Sequence, residues 1–472
     1  MRNTKVVSLE EAIRRSGLKD GMTISFHHHF RGGDKVVNLV VAKLAEMGFK
    51  DLKLAASSLS DVHAPLIEHI KAGVITGIST SGLRGELANE ISHGLMAEPV
   101  VFRSHGGRGS AIANGELHID VAFLGASSCD ELGNASGCPR SENAKSICGS
   151  LGYALPDAKY ADHVVVLTDD LVAYPNYPKS ISSCDVESVV VVDSVGDSSK
   201  ISSGAIRDSK NPRDILLAQQ AAQVIINSGY FKDGFSIQTG TGGASLAAVK
   251  YIKESMIEKG IKASFALGGI TAHMVKLHEE GLIGKLIDVQ SFDMVAAESI
   301  ASDQTHQEVS AVEYASADNP GSAVHALDIV ILSALEVDVD FNVNVLVGSD
   351  GIIRGAVGGH PDTAEDSALS IIVCPLLRGR IPCVVPKVTT LITPGAGVDV
   401  VVTEYGIAVN PRRPEIAERL KEAGLKVVDI HDLAAKATSV IGVPDPLPFG
   451  DKVVGIVMDR HGKVLDKIYN IQ

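Results

Sequence analysis

A repeated segment constrains the fold of this chain more than any other feature of its sequence. Residues 120–136 (DVAFLGASSCDELGNAS) align without a gap to residues 328–344 (DIVILSALEVDVDFNVN). The two segments are identical at the pairs Asp120/Asp328, Leu124/Leu332, Ala126/Ala334, Asp130/Asp338 and Asn134/Asn342. Because sequence self-similarity reflects repeated structural units, the chain is expected to build one unit twice.

Further segments repeat in the same order and at nearly the same spacing. Gly32–Gly33 match Gly242–Gly243, and HAPLIEHIKAGVITGI matches AHMVKLHEEGLIGKLI. Between the copies, the segment DSVGDSSKISSGAIRDSK is rich in serine and glycine, as is typical of a loop or linker. We therefore predict a tandem duplication, with an N-terminal domain of residues 1–205 and a C-terminal domain of residues 206–472.

Each predicted domain alternates short apolar segments with helical ones. The predicted strands are residues 22–26, 52–55, 75–79, 100–102, 121–124 and 235–238. Short apolar strands separated by helices are typical of a mainly parallel sheet that is covered on both faces. We therefore predict an α/β protein whose two duplicated domains each contain an open, mainly parallel sheet flanked by helices.

Charge and hydropathy exclude several classes of function. The formal net charge is −14 and no long basic run occurs, which disfavours a nucleic-acid partner. The apolar stretches fall well short of the ~20 residues that cross a bilayer, and the N-terminal segment lacks the apolar core of a signal peptide. The six cysteines form no Cys-x-x-Cys pair. We therefore expect a cytoplasmic protein with free thiols and no zinc site.

Two glycine-rich segments are candidates for binding an anion or a developing negative charge. QTGTGGAS, which begins at Gln238, follows a predicted strand, so its N–H groups either cradle a phosphate or simply form a structural turn. GSDGIIRGAVGGHPDTA, which begins at Gly348, either stabilises an oxyanion through paired amides or is a flexible surface loop. The candidate residues are Gly240, Thr241, Gly242, Gly243, Gly358, Gly359 and His360.

Histidines and arginines beside glycines are candidates for binding a carboxylate substrate. On an extended segment alternate side chains face the same way, which groups His27 with His29. No further ligand stands at a convincing metal-site spacing, so we expect substrate contact and no metal. The guanidinium fork of arginine binds carboxylates through two hydrogen bonds. The candidate contacts are His27, His29, Arg31, Gly32, Gly33, Arg84, Arg108 and Arg354.

The polar residues of the repeat divide into catalytic and structural candidates. Glu336 stands where the first copy has Ser128, and an acidic group in only one copy is what divergence into an active and a supporting half would leave. The repeated Asp130/Asp338 and Asn134/Asn342 pairs are interpreted as turn residues that make local hydrogen bonds. We therefore expect Glu336 to take part in catalysis.

Longer strings resemble the CoA-transferase superfamily and, within it, the citrate lyase alpha chain. The superfamily resemblance rests on DVAFLGASSCDELGNASG, SALEVDVDFNVN, RGAVGGHPDTA and VVTEYGIAV. The closer resemblance rests on FHHHFRGGD, TSGLRGELANEIS, SGYFKDGFSIQTGTGGASLA, ALGGIT, IDVQSFD and RGRIP, and it runs along nearly the whole chain.

The resemblance implies a citrate CoA-transferase with its active site between two related α/β domains. In that family the alpha chain exchanges acetyl for citryl on a dephospho-CoA-type prosthetic group, which an acyl carrier (gamma) subunit bears. A beta chain then cleaves the citryl thioester. The resemblance implies no cofactor bound covalently to this chain, and it assigns citrate to the histidine and arginine candidates. The residues expected at the thioester or CoA moiety are Gly240, Thr241, Gly242, Gly243, Asn342 and Asn344, and those expected in catalysis are Gly358, Gly359, His360 and Glu336.

One departure from the superfamily bears on the mechanism. Many CoA-transferases use a glutamate as covalent nucleophile in the region that matches residues 281–297, where this chain has Asp288, Gln290 and Asp293 but no glutamate. The resemblance therefore implies direct transfer through a mixed anhydride. Two alternatives stay open: an acyl-CoA transferase or hydrolase that uses Glu336 or Glu404 covalently, and a sugar-phosphate sensor.

Overall fold

A computed structural model of the protein describes residues 4–141, 144–202, 211–240 and 242–472. The predicted domain boundary at residues 205/206 and the candidate Thr241 lie outside these ranges. Within them, no helix is both long enough and apolar enough to cross a membrane.

The helices and strands alternate along most of the chain. The helices are α1 (Leu9–Arg15), α2 (Val36–Glu46), α3 (Leu66–Lys71), α4 (Gly85–Ser92), α5 (His105–Ala113), α6 (Leu155–Tyr160), α7 (Pro212–Asn227), α8 (Gly243–Lys259), α9 (Ala272–Glu279), α10 (Met294–Ser302), α11 (Ala311–Ala315), α12 (His360–Asp366), α13 (Pro414–Glu422) and α14 (Ile430–Ile441). The strands of the first half are β1 (Thr23–Phe26), β2 (Leu52–Ala56), β3 (Ile75–Thr80), β4 (Val100–Phe102), β5 (Val121–Ala126), β6 (Ser128–Asp130), β7 (Ala135–Ser136), β8 (His163–Thr168), β9 (Leu171–Val172) and β10 (Ser188–Val191). Those of the second half are β11 (Phe235–Thr239), β12 (Ala263–Ile270), β13 (Ile283–Ser291), β14 (His306–Glu308), β15 (Ile329–Ser333), β16 (Glu336–Asp338), β17 (Val343–Asn344), β18 (Leu369–Val373), β19 (Leu377–Arg378), β20 (Ile381–Pro382), β21 (Val384–Val385), β22 (Val400–Thr403), β23 (Gly406–Val409), β24 (Val427–Val428), β25 (Phe449–Met458) and β26 (Val464–Ile471).

Two nine-stranded sheets form the framework. Their strand orders are β10-β8-β5-β1-β2-β3-β4-β25-β26 and β14-β13-β12-β11-β15-β18-β22-β23-β24. The neighbours pair in parallel except in the hairpins β22–β23 and β25–β26. The order β8-β5-β1-β2-β3-β4 of the first sheet recurs in the second as β18-β15-β11-β12-β13-β14. The predicted α/β class, with mainly parallel sheets flanked by helices, is confirmed.

Apolar spacing explains how the helices cover the sheets. In α2, Val37, Val40, Val41 and Leu44 are buried, and their spacing of three and four residues places them on one helical face. Burying each such side chain contributes about 1.5–3 kcal/mol relative to leaving it in water. The second half begins with α7, where the Asn211 side chain accepts a hydrogen bond from the Arg213 N–H at 3.0 Å. This N-cap, with a proline at the next position, agrees with the sequence pattern.

The repeated polar residues form the same turn in both halves. Asp130 accepts hydrogen bonds from the backbone and side-chain N–H groups of Asn134, at 3.0 and 2.8 Å. Asp338 accepts the same two bonds from Asn342, at 2.9 and 3.2 Å. Phe341 between them has φ 65°, a left-handed conformation that is unfavourable for a bulky residue, so these bonds hold a strained turn. The structural interpretation of the aspartate–asparagine pairs is therefore confirmed.

The last hairpin crosses from the second half of the chain into the first sheet. Strand β25 pairs in parallel with β4, with Gly455 opposite Val100, and β26 forms the new edge. The segment with β18, β22 and α13, by contrast, stays with the second sheet. Residues 449–471 thus lie within the predicted C-terminal domain by sequence and in the sheet of the N-terminal domain by pairing.

Candidate active site

A cavity of about 240 Å³ lies where the carboxyl ends of the two sheets face each other. The first sheet contributes the residues that follow β1, β2 and β4, and the second contributes those at the ends of β11, β12, β13 and β15. In parallel sheets this edge gathers the loops and the helix N-termini, which is why ligands bind there. The fold therefore assembles a binding site from both halves of the chain.

The structure separates the residues singled out from the sequence into two groups. Those that line the cavity are Arg31, Arg84, Gly240, Gly242, Gly358, Gly359 and His360. Those described by the structure but absent from the cavity lining are His27, His29, Gly32, Gly33, Gly243, Arg108, Arg354, Glu336, Asn342 and Asn344.

Arg31 and Arg84 bring two positive charges to the cavity wall. The Arg31 guanidinium lies 4.7 Å above the centre of the Phe292 ring, and its buried Nη1 has no hydrogen-bond partner among the described residues. Burial and the nearby Arg84 lower the pKa of Arg31 to about 10, so it stays charged at neutral pH. Arg31 also has φ 51°, and such strain persists at functional sites. Two neighbouring guanidinium groups with no direct ion pair among the described residues favour an anionic ligand.

The other two candidate arginines are engaged elsewhere. Arg108 is buried and donates to both carboxylate oxygens of Asp157, at 2.8 and 2.7 Å. Arg354 is exposed and forms an ion pair with Asp350, four residues earlier in the chain. The expectation that Arg354 clamps the substrate is therefore not what the structure shows, because its guanidinium is directed to a carboxylate on the surface.

The histidine run also differs from the expectation. His28 lines the cavity, whereas His27 donates to the Gly125 carbonyl at 2.8 Å and His29 accepts from the Tyr153 N–H at 3.2 Å. Strand β1 ends at Phe26 and the chain then turns, so the alternation of an extended strand does not apply. His27 and His29 therefore hold the backbone of Gly125 and Tyr153 by hydrogen bonds and do not line the cavity.

An aromatic stack forms part of the wall that the sequence had not indicated. The ring of Tyr153 lies 4.1 Å from that of His105 and 5.2 Å from that of His28, measured between centroids. Burial, with the nearby Arg108 and Arg31, lowers the pKa of His105 to about 3. Burial, with His105 as the next cause, lowers the pKa of His28 well below its usual range. Both imidazoles are therefore neutral hydrogen-bonding groups.

The position of His105 in the chain was the one available signal for it. His105, which two residues separate from the end of β4, begins α5 in the segment SHGGRG. Strand-to-helix junctions at the carboxyl ends of a parallel sheet are where ligands bind. Gln238 and Gln290, which also line the cavity, lie in the segments QTGTGGAS and IDVQSFD but were not themselves predicted as contacts, and Tyr314 had no distinguishing motif.

The glycine loop before α12 leaves the Gly359 N–H without a hydrogen-bond partner among the described residues. The Gly358 N–H donates to the Ser81 hydroxyl at 2.9 Å, and its carbonyl accepts from the His105 N–H at 2.9 Å. The Gly359 N–H donates to no described residue. A Cβ at Gly359 would lie 2.6 Å from the Tyr314 hydroxyl oxygen, which shows how closely the loop is packed. Of the two expected oxyanion donors, only Gly359 is available.

His360 anchors this loop through both of its ring nitrogens. Nδ1 lies 2.7 Å from the Thr393 hydroxyl and Nε2 lies 3.1 Å from the Ser333 carbonyl, so Nε2 donates and Nδ1 accepts. Burial lowers the pKa of His360 to about 4. A neutral ring with both nitrogens engaged holds the wall in place and has no free position for proton transfer.

Glu336 and the two candidate asparagines form structural contacts beside the site. The Glu336 carboxylate accepts hydrogen bonds from the Asn344 side chain at 2.9 Å and from the Thr389 N–H at 2.8 Å. Asn342 accepts from the Gly395 N–H at 2.9 Å. The expected catalytic role of Glu336 and the expected thioester contacts of Asn342 and Asn344 therefore do not match their placement, because all three side chains hold turns.

The start of α8 is the remaining candidate for the thioester end of the substrate. The Gly240 N–H donates to the Ile331 carbonyl at 2.7 Å, and Gly242 is the N-cap of the helix. A Cβ at Gly242 would lie 2.1 Å from the Ser333 hydroxyl oxygen, so only glycine permits this approach. The unpaired N–H groups of a helix N-terminus favour a negatively charged group.

The described lining of the cavity contains no carboxylate or thiol side chain. None of the described residues that line it is an aspartate, a glutamate or a cysteine. Gln290, in the segment where a covalent glutamate would be expected, donates to the His28 carbonyl at 3.2 Å. The site can therefore bind carboxylates and stabilise negative charge, and its described lining offers no carboxylate side chain for a covalent acyl intermediate.

Comparison with known proteins gives consistent matches along the chain. Residues 2–471 match the family described as "Citrate lyase, alpha subunit (CitF)". The citrate lyase alpha chain of Escherichia coli (strain K12) is 60% identical over 465 residues, which span 98% of this chain and 90% of that protein.

Solved structures give the same result for the fold. A Streptococcus mutans chain assigned as the alpha subunit of citrate lyase, crystallised with citrate, is 53% identical with a TM-score of 0.97 and covers 100% of this chain and 92% of its own. The alpha subunit of a malonate decarboxylase from Acinetobacter baumannii is 15% identical with a TM-score of 0.68, covering 93% of each chain. The latter likeness concerns the fold alone.

Proposed function

The chain belongs to the citrate lyase alpha subunit family, and from that premise we propose that it is a citrate CoA-transferase. It replaces acetyl by citryl on a thioester and releases acetate. One observation supports this most directly: Arg31 and Arg84 line a cavity to which no described carboxylate side chain contributes. A tricarboxylate substrate supplies the missing negative charge, and the related chain from Streptococcus mutans was crystallised with citrate.

The reaction is a direct exchange between substrates. A citrate carboxylate oxygen attacks the acetyl thioester carbon, the carbon–sulfur bond breaks, and the thiolate leaves behind a mixed anhydride of citrate and acetate. The thiolate then attacks the citryl carbonyl, and acetate leaves. One thioester is exchanged for another, so the energy is nearly balanced. The chain's task is positioning, for which effective molarities of ~10⁵ M or more are available.

Each group of the cavity has a role in this exchange. Arg31 and Arg84 hold the carboxylates of citrate that do not react. The Gly359 N–H, at the N-terminus of α12, donates to the oxyanion that forms when the thioester or the anhydride is attacked. The neutral rings of His28 and His105 exclude water and offer hydrogen bonds without adding charge. The N-terminus of α8 lies at the thioester end.

The thioester is carried by other molecules. Membership of the family places the chain in a citrate lyase complex with other subunits. We propose that an acyl carrier (gamma) subunit brings the acyl group on a dephospho-CoA-type arm, and that CoA can replace it in solution. A beta subunit then cleaves the citryl thioester. The six cysteines are all unpaired, which supports a reducing, cytoplasmic location.

Incubating the purified chain with acetyl-CoA and labelled citrate is the test of this function. We expect citryl-CoA and acetate in equal amounts, and no reaction when succinate replaces citrate. We also expect no thioester on the protein to be trapped by borohydride after incubation with acetyl-CoA alone. Failure to form citryl thioester, even with a loaded carrier subunit, would contradict the proposal. A borohydride-sensitive acyl-enzyme would instead support covalent catalysis.

The variant Glu336→Gln separates direct transfer from the covalent alternative. We expect kcat to change by less than about threefold, because Glu336 binds Asn344 and Thr389 and does not reach the cavity. The weakened hydrogen bonds should lower the free energy of unfolding by about 1–3 kcal/mol. Steady-state kinetics and urea unfolding measure both effects. Glu404→Gln tests the other glutamate of that alternative, and we expect a similarly small change in kcat, since Glu404 accepts a bond from the Leu376 N–H at 2.8 Å. Loss of all activity in either variant would favour a glutamyl intermediate.

A further inference from the structure

The turn of the last hairpin delivers a buried arginine to the interface between the two halves. Arg460 lies between β25 and β26, in a turn closed by a hydrogen bond from the Asp459 N–H to the Lys463 carbonyl at 2.7 Å. Only 4% of Arg460 is exposed. A charged residue in a hairpin turn is ordinarily solvated, and arginine is rarely buried unless it is paired.

Three carboxylates of α12 surround the Arg460 guanidinium. Nη2 lies 2.5 Å from Asp366, Nη1 lies 3.2 Å from Glu365, and Nε lies 3.8 Å from Asp362. Asp362 is fully buried and also faces the first half of the chain. Its carboxylate accepts from the Ser104 hydroxyl at 2.7 Å and from the Gly106 N–H at 2.9 Å. Asp362 therefore joins α12 to the N-terminus of α5, and Arg460 is its counter-charge.

Both helices present a cavity residue at the end that Asp362 joins. Helix α5 begins with His105, and the residue before α12 is Gly359. The two ends also touch directly, because the His105 N–H donates to the Gly358 carbonyl. There is little room for adjustment, since a Cβ at Gly106 would lie 1.9 Å from the Ala315 carbonyl oxygen. A shift of α12 relative to α5 thus displaces His105 and Gly359 relative to each other in the cavity wall.

We propose that Arg460 is a positioning residue: from the last hairpin it fixes the Asp362 carboxylate between α5 and α12 and so sets the Gly359 N–H against His105. The proposal rests on the proposed function, because it assigns Arg460 to the geometry of that same cavity. Arg460 acts through Asp362 and touches no substrate. The three carboxylates of α12 have no other described arginine or lysine partner.

The ionisation of Asp362 provides a readout that a merely structural arginine would not change. Burial raises the pKa of Asp362 to about 6, and Arg460 is the largest influence in the opposite direction. The contact between α12 and α5, which we call the Asp362 clamp, needs the ionised carboxylate. This carboxylate accepts hydrogen bonds from both the Ser104 hydroxyl and the Gly106 N–H. As pH falls through about 6, Asp362 gains a proton and kcat decreases. Without Arg460 the pKa of Asp362 rises, so this decrease begins at higher pH.

Other titratable groups face Asp362 from each element packed on it. Asp366 and Glu365 lie on α12 itself, and Asp366 is also 3.3 Å from His325. On α11 and before α6, the pKa values of Tyr314 and Tyr153 are raised by burial, so both stay neutral. His105 on α5 has a pKa of about 3, so it is neutral throughout the pH range in which Asp362 titrates. Citrate also titrates, but equally with every variant.

Kinetics of Arg460→Gln and Arg460→Lys between pH 5 and 9 test the proposal. At saturating citrate and pH 7 we expect Arg460→Gln to lower kcat about tenfold or more, since small misplacements of reacting groups are costly. The KM for citrate should change by less than about threefold, and the acid limb of kcat should move to higher pH. Arg460→Lys should retain the wild-type limb. Superimposable profiles of wild type and Arg460→Gln would overturn the proposal.

Arg413→Gln is the matched control. Arg413 is also mostly buried and pairs with Asp399 and Glu415, but it lies outside the cavity, and its hydrogen bond to the Ala368 carbonyl lies beyond the C-terminus of α12, at the opposite end from Gly359. We expect this variant to be less stable while keeping the wild-type kcat and acid limb. An equal fall in kcat for Arg413→Gln would mean that loss of any buried ion pair suffices, which would contradict a positioning role.

Hydrogen exchange gives a readout that does not depend on activity. If Arg460→Gln fails to fold, Asp362→Asn removes the same clamp with an isosteric side chain, and its kcat should be low with no acid limb near pH 6. In either variant, the hydrogen-bonded amides of His360 and Thr363, which donate to the Val357 and Gly359 carbonyls, should exchange at least several-fold faster than in wild type. Unchanged exchange there overturns the proposal even if wild type forms no citryl-CoA, an outcome that would reject the proposed function separately.

Discussion

Replacing Arg31 by glutamine is expected to lower kcat/KM for citrate about 100-fold or more. Arg31 is one of two cations that line the cavity without a described carboxylate partner, and its Nη1 is buried without a hydrogen bond. Removing one member of a buried charge pair typically costs about 2–5 kcal/mol, and each 1.4 kcal/mol is about tenfold in affinity. Because Arg31 binds carboxylates that do not react, most of the loss should fall on KM. Steady-state kinetics with varied citrate measures it.

Two further substitutions define what Arg31 contributes. Arg31→Lys keeps the charge but loses the planar fork and the stacking on Phe292, so we expect an intermediate loss. Arg354→Gln is the matched control, because Arg354 is exposed and already paired with Asp350. Its KM for citrate should equal that of wild type. If Arg354→Gln were as impaired as Arg31→Gln, citrate would lie outside the cavity described above.

Substituting Gly359 by alanine is expected to lower kcat by about 100- to 1000-fold. The Gly359 backbone has φ −90° and ψ 15°, which alanine can adopt, so backbone strain is not the cause. The added Cβ would instead lie 2.6 Å from the hydroxyl oxygen of the buried Tyr314 and would displace the loop. The Gly359 N–H would then lose its place as oxyanion donor, and loss of one such donor typically costs that factor in kcat. Citrate KM should change little.

Gly321→Ala serves as the control for Gly359→Ala. Gly321 is exposed, and a Cβ there would meet only the Asn319 side chain, at 3.4 Å. Its kcat and thermal unfolding should match wild type. A Gly359→Ala enzyme with wild-type kcat would show that the oxyanion is stabilised by another group, and thermal unfolding of the same variant would reveal any loss of overall stability.

The sequence predicts the framework well because the apolar pattern decides it. Strands such as β4, predicted at residues 100–102, match because short apolar runs between helices have few other solutions. The sequence also singled out Gly358, Gly359, Arg31 and Arg84, which all line the cavity. Glycines and arginines at strand-to-helix junctions are informative because few other roles require them there.

The rest of the site depends on contacts between distant segments. His28 lines the cavity, and the predicted His27 and His29 do not. The reason is that a turn after β1, and not the alternation of an extended strand, sets the directions of the three side chains. The Arg354–Asp350 pair spans only four residues, and the sequence alone allows such an ion pair to be recognised. The contact of Glu336 with Thr389, 53 residues away, cannot be recognised without the tertiary structure. The role of Arg460 was invisible for the same reason, since its carboxylates lie on a helix distant in sequence.

The pairing of β25 with β4 sets an order for folding during synthesis. Val100 emerges from the ribosome long before Gly455, its partner in the register. Until residues 449–471 have been made, β4 is an uncovered edge, and such edges invite pairing with other chains. The second sheet, whose strands all precede this hairpin, can close before the first sheet is complete. The nascent chain thus depends on a segment made late to cover a sheet edge made early, and chaperones have the longest opportunity to act at that edge.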